Sequence, residues 1–173
     1  MLLDYIRSIS PPFSSVLEIG CGFGRITKPV LSQFPNIQKY TAVDISPHQI
    51  KNAREYVKSV RGRIDVEFIV SDIKSFQVME HYDLVIAAEV LLHVLPSEIT
   101  EIITKIAGLS SHHIINVDYY QEKEESLAPH NFLHQYEKIY KAIPSIRKVN
   151  RLPIRNGGFL GTDTKQSIFH AQK

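Results

Sequence analysis

Three glycines on alternate positions, Gly20, Gly22 and Gly24, follow the apolar run Val16-Leu17-Glu18-Ile19 and lead into Arg25. The apolar run reads as a buried strand and the stretch beyond the glycines has a helical pattern, so the three mark a sharp strand-to-helix turn. Side chains at these positions would block either the backbone angles of the turn or the approach of a ligand to the main chain. The combination points to an α/β sheet with a nucleotide-like cofactor at the turn. With 173 residues and 43% hydrophobic content the chain is long enough to bury a proper core. It is therefore expected to form one domain over residues 1–173.

Several classes fall away on composition. The formal charge of +2 is too small to demand an acidic partner. One cysteine, Cys21, cannot form an internal disulfide, which fits a cytoplasmic protein. The longest apolar runs, such as 84–92, are too short for a membrane span and contain Glu89. The opening Met1-Leu2-Leu3-Asp4-Tyr5-Ile6-Arg7 lacks a charged start and a cleavage site, and is expected to be mature chain.

Strands are predicted near 16–19, 40–44, 66–70, 82–87 and 113–118, alternating with helices, the pattern of a parallel sheet covered on both faces. Ser46-Pro47-His48-Gln49 carries a capping serine, a proline at the first helical position and a glutamine at the third. Pro96-Ser97-Glu98 marks another helix start, with Gly108 near its end. Pro29 removes a backbone donor after the glycines, which predicts a kink or a late helix start. Beyond Asp118 the pattern changes. A helix is predicted over 131–143 with Phe132, Tyr136, Ile139 and Ile143 on one stripe, then strands at 146–154 and 166–171 joined by the glycine-rich 155–161. Two strands with no helix between them should pair antiparallel.

Four pieces, in order, resemble the class I S-adenosylmethionine-dependent methyltransferases: Glu18-Ile19-Gly20-Cys21-Gly22-Phe23-Gly24, Ala42-Val43-Asp44-Ile45-Ser46, Ser71-Asp72-Ile73, and the run 82–94. The resemblance covers essentially the whole chain. It implies a Rossmann-like three-layer α/β/α fold whose seven-stranded, mostly parallel sheet runs 3-2-1-4-5-7-6 with strand 7 antiparallel. S-adenosylmethionine is the implied cofactor, leaving as S-adenosylhomocysteine. Its implied contacts are Glu18, Gly20, Cys21, Gly22, Gly24, Arg25, Asp44, Ile45, Asp72, Ile73 and Glu89. In this reading Asp44 takes both ribose hydroxyls, Asp72 and the Ile73 amide take the adenine edge, and Ile45 packs on its face. Arg25 would pair with the methionine carboxylate. Glu18, an acid in an apolar strand, needs partners, and amides of the glycine turn or bound water are expected to supply them. Asp83 is expected to bond to backbone and to play a structural part. A nicotinamide site would need glycine or alanine at position 25, where Arg25 stands, and Glu18 would repel a pyrophosphate.

Methyl transfer needs an acceptor in line with the methyl carbon, and a base only where the acceptor must lose a proton. His93, His130 and His134 are the candidate catalytic bases. They come without acidic or thiol ligands at diagnostic spacing, so no metal is expected. Ala87-Ala88-Glu89-Val90 stands where family members that methylate adenine or glutamine amino groups carry Asn/Asp-Pro-Pro-aromatic. A small-molecule acceptor is expected, in a site that is open, closed by the 119–131 segment, or completed by a second copy in a homo-oligomer. No large substrate-capping insertion is expected. Lys138, Lys141, Arg147, Lys148, Arg151 and Arg155, with no acid among them after Lys138, form a candidate phosphate contact. Glu122, Glu124 and Glu125 precede them as counter-charges. An RNA or protein acceptor, and a catalytically inactive scaffold, are the alternatives.

Overall fold

The computed structural model describes residues 1–60, 64–120, 126–154 and 166–173. The glycine-rich 155–161, Arg155, Glu122, Glu124 and Glu125 lie outside them. Helices α1 (Leu2–Ser8), α2 (Thr27–Gln33) and α3 (Pro47–Tyr56) alternate with strands β1 (Ser15–Ile19), β2 (Lys39–Asp44) and β3 (Asp65–Val70), and α4 (Ile99–Leu109) lies between β4 (Tyr82–Ala88) and β5 (Ser110–Tyr119). The expected alternation fails between β3 and β4, where a turn held by the Ser75 and Phe76 amides on the Asp72 carbonyl buries Phe76 in place of a helix. Then come β6 (Ser126–Ala128) and β7 (Asn131–Phe132), helix α5 (Tyr136–Lys141), and β8 (Lys148–Pro153) and β9 (Gln166–Gln172). The main sheet runs β3-β2-β1-β4-β5-β9-β8. Counting only its own strands, that is 3-2-1-4-5-7-6. Its first five strands pair in parallel, and β9 is antiparallel to both neighbours.

The continuous apolar runs are explained by cover on both faces. Val16, Leu84, Ile86 and Ile115 pack toward Leu2, Ile6, Val30 and Ile50 of the first three helices. Leu17, Val85 and Ile114 pack toward Ile102, Ile103, Ile106, Tyr136 and Tyr140 of α4 and α5. Local chemistry behaves as read. The Ser46 hydroxyl accepts from the Gln49 amide at 3.3 Å. Helix α2 starts late, at Thr27, so Pro29 falls in the first turn, where amides lack an intrahelical partner anyway. Asp83 holds the bottom of β1 to β4, its Oδ2 accepting from the Ser14 and Ser15 amides at 2.8 and 3.0 Å.

The expectation of a helix over 131–143 is corrected. Asn131–Phe132 is extended and pairs antiparallel with β6, and α5 begins only at Tyr136. His130 adopts φ +70, which reverses the chain there. The extended stretch lets Leu133 and His134 bury against the rest of the protein. The buried face of α5 then carries Tyr136 and Tyr140, with Ile139 only partly covered and Ile143 buried beyond the end of the helix.

At the opposite end of the sheet from the glycine turn a buried relay joins α1, β5 and β9. A carbonyl only accepts, so His113 Nε2–H donates to the Pro11 carbonyl at 2.9 Å. Its Nδ1 therefore accepts from His170 Nε2 at 3.1 Å, and His170 Nδ1 accepts from the Tyr5 hydroxyl at 2.9 Å. Burial, aided by His113, pushes the His170 pKa down to about 4, and burial lowers that of His113 too. The folded pair stays neutral while an unfolded histidine titrates near about 6.5. Its contribution to stability is complete above that value and is lost as pH falls toward about 4, because only the unfolded chain takes up the proton there. In urea titrations His170→Asn should be less stable than wild type at about pH 7, with the gap narrowing by about 1–2 kcal/mol at about pH 5. A gap that does not change with pH would refute the relay's neutrality.

Candidate functional site

The glycine turn sits where β1 ends, beside the ends of β2 and β4. The Gly20 and Cys21 amides both donate to the Val43 carbonyl, at 2.8 and 3.0 Å, closing the turn onto β2. Gly20, Gly22 and Gly24 all take positive φ, +67, +53 and +91. A Cβ on Gly20 would lie 2.2 Å from Val90 Cγ2, so the turn and the residue after β4's exit are fitted to each other. Cys21 is buried, and burial pushes its thiol pKa up, which leaves it inert.

Two cavities meet over this turn. One, of about 570 Å³, is lined by Gly20, Asp44, Ile45, Asp72, Ile73, Glu89, Val90 and His93 among others. The other, of about 150 Å³, is lined by Glu18, Gly20, Cys21, Gly22, Arg25 and Glu89 with three neighbours. Gly20 and Glu89 belong to both and divide the cleft. Ten of the eleven expected cofactor contacts therefore border it, all but Gly24, whose place is against Ala53 and Val57 of the α3 side.

Asp44 ends β2 and is pinned from two sides: Oδ2 accepts from the Gly22 amide at 2.8 Å and Oδ1 from the Ser46 amide at 2.9 Å. Each oxygen keeps a second lone pair for a hydroxyl. Asp72 Oδ1 accepts from the Lys74 amide at 2.9 Å, which fixes the loop after β3. Ile45 is 67% exposed, a large apolar side chain on the cleft wall.

Glu18 departs from expectation in its partners. Its Oε2 accepts from the Thr27 hydroxyl at 2.6 Å and the Tyr40 hydroxyl at 2.5 Å, while the Gly20, Cys21, Gly22 and Gly24 amides bond elsewhere. Strand β1 aims the side chain into the layer beneath α2, where hydroxyls are the polar groups available. Burial raises its pKa to about 7 against the pull of those hydroxyls. The Arg25 guanidinium donates to Glu89 Oε2 at 2.7 Å across the mouth of the smaller cavity. Glu89, at φ +58, receives the Gln166 side-chain amide on its other oxygen. Gln166 was not among the residues expected here. It stands at the start of β9, 77 positions from Glu89, and only the antiparallel last strand brings it to this end of the sheet.

The three histidines separate. His93 borders the larger cavity and its Nδ1 lies 3.3 Å from the His130 carbonyl. His130 is exposed at its turn. His134 is 4% exposed and its Nε2–H donates to the Val94 carbonyl at 3.0 Å, so that nitrogen serves the backbone. The basic run is partly neutralised: Glu137 meets Lys141 at 3.0 Å and Arg151 at 3.6 Å, and Arg151 also lies over the Tyr120 ring at 4.0 Å. Lys138, Arg147 and Lys148 are exposed.

A profile of the methyltransferase domain matches residues 16–112 of this chain, more than half of it. The chain is 36% identical over 86 residues to a malonyl-[acyl-carrier protein] O-methyltransferase of Acetivibrio thermocellus, covering 50% of this chain and 29% of that protein. It is 30% identical over 82 residues to nodulation protein S of Rhizobium tropici, covering 47% and 32%. The matched stretch thus spans about a third or less of these relatives. Among solved structures, the N-methyltransferase NodS of Bradyrhizobium japonicum superposes with a TM-score of 0.75 at 20% identity, over 99% of this chain and 92% of that one. Magnesium protoporphyrin IX methyltransferase of Synechocystis with bound S-adenosylmethionine gives 0.73 at 20% identity, over 99% and 76%. At such identities the likeness lies in the fold, and the sheet order is the one expected from the motifs. With the profile match running from the glycine strand through α4, the chain belongs to the class I S-adenosylmethionine-dependent methyltransferase family.

Proposed function

We propose that this chain transfers the methyl group of S-adenosylmethionine to a small-molecule acceptor in the cytoplasm. The observation that carries the reading is the cleft divided at Gly20 and Glu89. Its larger part has the depth and chemistry for an adenosine, and its smaller part offers Arg25 and Glu89 to an amino acid's two charges. Ile45 supports the fit, since an aromatic ring on it would cover an apolar surface that is otherwise in water. In this assignment Asp44 takes the ribose hydroxyls, Asp72 and the Ile73 amide the adenine edge, and Cys21, Gly22 and Gly24 form the turn that lets the main chain approach. Glu18 holds α2 and β2 against that turn.

S-adenosylmethionine supplies an electrophilic methyl group when bound. The protein's work is then to hold the acceptor in line and to exclude water, which accounts for most of the acceleration in such displacements. His93 is the histidine best placed to take a proton. Relatives named for malonyl-[acyl-carrier protein] and for magnesium protoporphyrin IX support an acceptor outside nucleic acid. No described helix is long and apolar enough to cross a membrane.

Transfer of labelled methyl from S-adenosylmethionine in a cell extract, with products fractionated into small molecules, lipid, protein and nucleic acid, tests the proposal. Label should collect in the small-molecule fraction only when the protein is added. Label in RNA or protein alone would overturn the acceptor class. Donor binding without any transfer would favour a scaffold.

A further inference from the structure

Between β4 and α4 the chain crosses the floor of the donor cleft as a turn over 89–94. It places Glu89, Val90 and His93 along the cleft, and it has left the sheet by then. The Glu89 amide still donates to the Val117 carbonyl of β5 at 2.8 Å. Beyond that point the tie from below is a side chain, as the Leu92 amide donates to Asp118 Oδ2 at 3.3 Å. From the far side His134 Nε2–H holds the Val94 carbonyl.

Asp118, the penultimate residue of β5, has no solvent exposure and borders neither cavity. An acid so placed is costly unless it is engaged. Its Oδ1 accepts from the Tyr119 amide at 3.2 Å. The buried Tyr136 hydroxyl of α5 makes no hydrogen bond of good geometry, but it is near enough to the Asp118 carboxyl to favour the anion and to have its own pKa raised by it. The cleft is sensitive to where this turn sits. Val90 lies directly over Gly20, and a Cβ there would come within 2.2 Å of it, so a displacement of well under an ångström changes the cradle.

We infer that Asp118 is a positioning residue for the donor cleft, fixing the 89–94 turn through Leu92 at the height at which Glu89 and Val90 meet the glycine turn. The inference rests on the donor-site reading above. Asp118 acts through the turn and touches neither cofactor nor acceptor. It differs from an ordinary buried anchor in being able to titrate. Burial raises its pKa to about 7, with Glu89 adding to the rise, while the Tyr119 and Leu92 amides and Tyr136 lower it. The Asp118 charge in turn adds to the rise that burial gives the Tyr140 hydroxyl of α5. A carboxylate accepts from Leu92 and Tyr119 together, whereas the protonated acid gives up part of that capacity. Donor affinity should therefore fall as pH drops through about 7. Glu18, also raised to about 7 and lining the cleft, contributes a separate dependence, so variants are needed to tell the two apart.

The experiment is calorimetric binding of S-adenosylhomocysteine to the full chain between about pH 6 and pH 8.5, with thermal unfolding beside it. Asp118→Asn should weaken binding at the alkaline end by about 3- to 30-fold, the range for a residue acting through packed neighbours, and should flatten part of the pH dependence. Tyr136→Phe removes only the hydroxyl and guards against an Asp118 variant that does not fold. It should weaken binding less and move the inflection to higher pH, because the carboxylate loses a stabilising neighbour. Unchanged affinity and an unchanged pH profile in either folded variant would overturn the inference. Wild type that binds no S-adenosylhomocysteine at any pH would overturn the donor-site reading itself, and this inference with it.

Discussion

Gly20→Ala is expected to reduce affinity for S-adenosylhomocysteine by about 30-fold or more. Two costs combine. At φ +67 an alanine sits in the left-handed region, at about 1–2 kcal/mol. Its methyl would also lie 2.2 Å from Val90 Cγ2, and pushing Val90 aside costs about 1–3 kcal/mol in a packed setting. At about 1.4 kcal/mol per tenfold, a sum of about 2–5 kcal/mol reaches from about 30-fold to beyond a thousandfold, part of it felt as lost stability. Gly22 supplies the control, since it has φ +53 but nothing within 4 Å of a new Cβ. Gly22→Ala should therefore show the strain alone, about 5- to 30-fold. The double variant Gly20→Ala/Val90→Ala should recover much of the difference between the two. Calorimetry on the four proteins checks this, and a Gly20→Ala no weaker than Gly22→Ala would show that the contact with Val90 is unimportant.

How much of this was legible in the sequence depends on the range of the interactions concerned. Strands β1 to β5 announce themselves because burial on both faces demands unbroken apolar runs, and Ser46-Pro47 fixes a helix start with atoms at most three residues apart. The positions bordering the cleft were legible for the same reason, since the glycine turn and the strand-end acids Asp44 and Asp72 are local signals. What those positions bond to was not. Glu18 finds Thr27 and Tyr40, 9 and 22 residues away, and nothing in the order of residues separates their hydroxyls from the amides of the turn. Arg25 pairs with Glu89 across 64 positions, and Gln166 reaches the same carboxylate only because the last strand reverses direction. The stripe from Phe132 to Ile143 has helical spacing, yet its first residues are taken by pairing with β6 and by the bond from His134 to Val94, both set by tertiary contacts. Asp118 closes the predicted strand 113–118 with no local signal of a further role. Its meaning comes from Leu92, 26 residues earlier in the chain.

The second large effect is expected at Asp44. Asp44→Ala should weaken S-adenosylhomocysteine binding by about 100-fold or more, because one side chain does two jobs at one point of the cleft. It carries the charge proposed for the ribose hydroxyls, and a hydrogen bond to a charged group is worth about 1.5–3 kcal/mol. It also joins the glycine turn to the start of α3, accepting from the Gly22 and Ser46 amides at 2.8 and 2.9 Å, so its loss loosens the wall on which the ligand rests. The two jobs come apart with a shorter ligand and a milder variant. Methylthioadenosine keeps the ribose and lacks the amino acid, and it should lose affinity by a factor similar to that for S-adenosylhomocysteine. Asp44→Asn keeps one carbonyl acceptor and removes the charge, so it should fall between wild type and Asp44→Ala. If methylthioadenosine binds the Asp44→Ala protein as it binds wild type, the carboxylate does not hold the ribose. Thermal stability should change little by comparison, about 1 kcal/mol, because the Gly22 and Ser46 amides at the cleft wall can turn to water once the carboxylate is gone. An equal fall in stability and affinity would mean that Asp44 is chiefly a brace for the turn, whereas a fall confined to affinity assigns the carboxylate to the ligand.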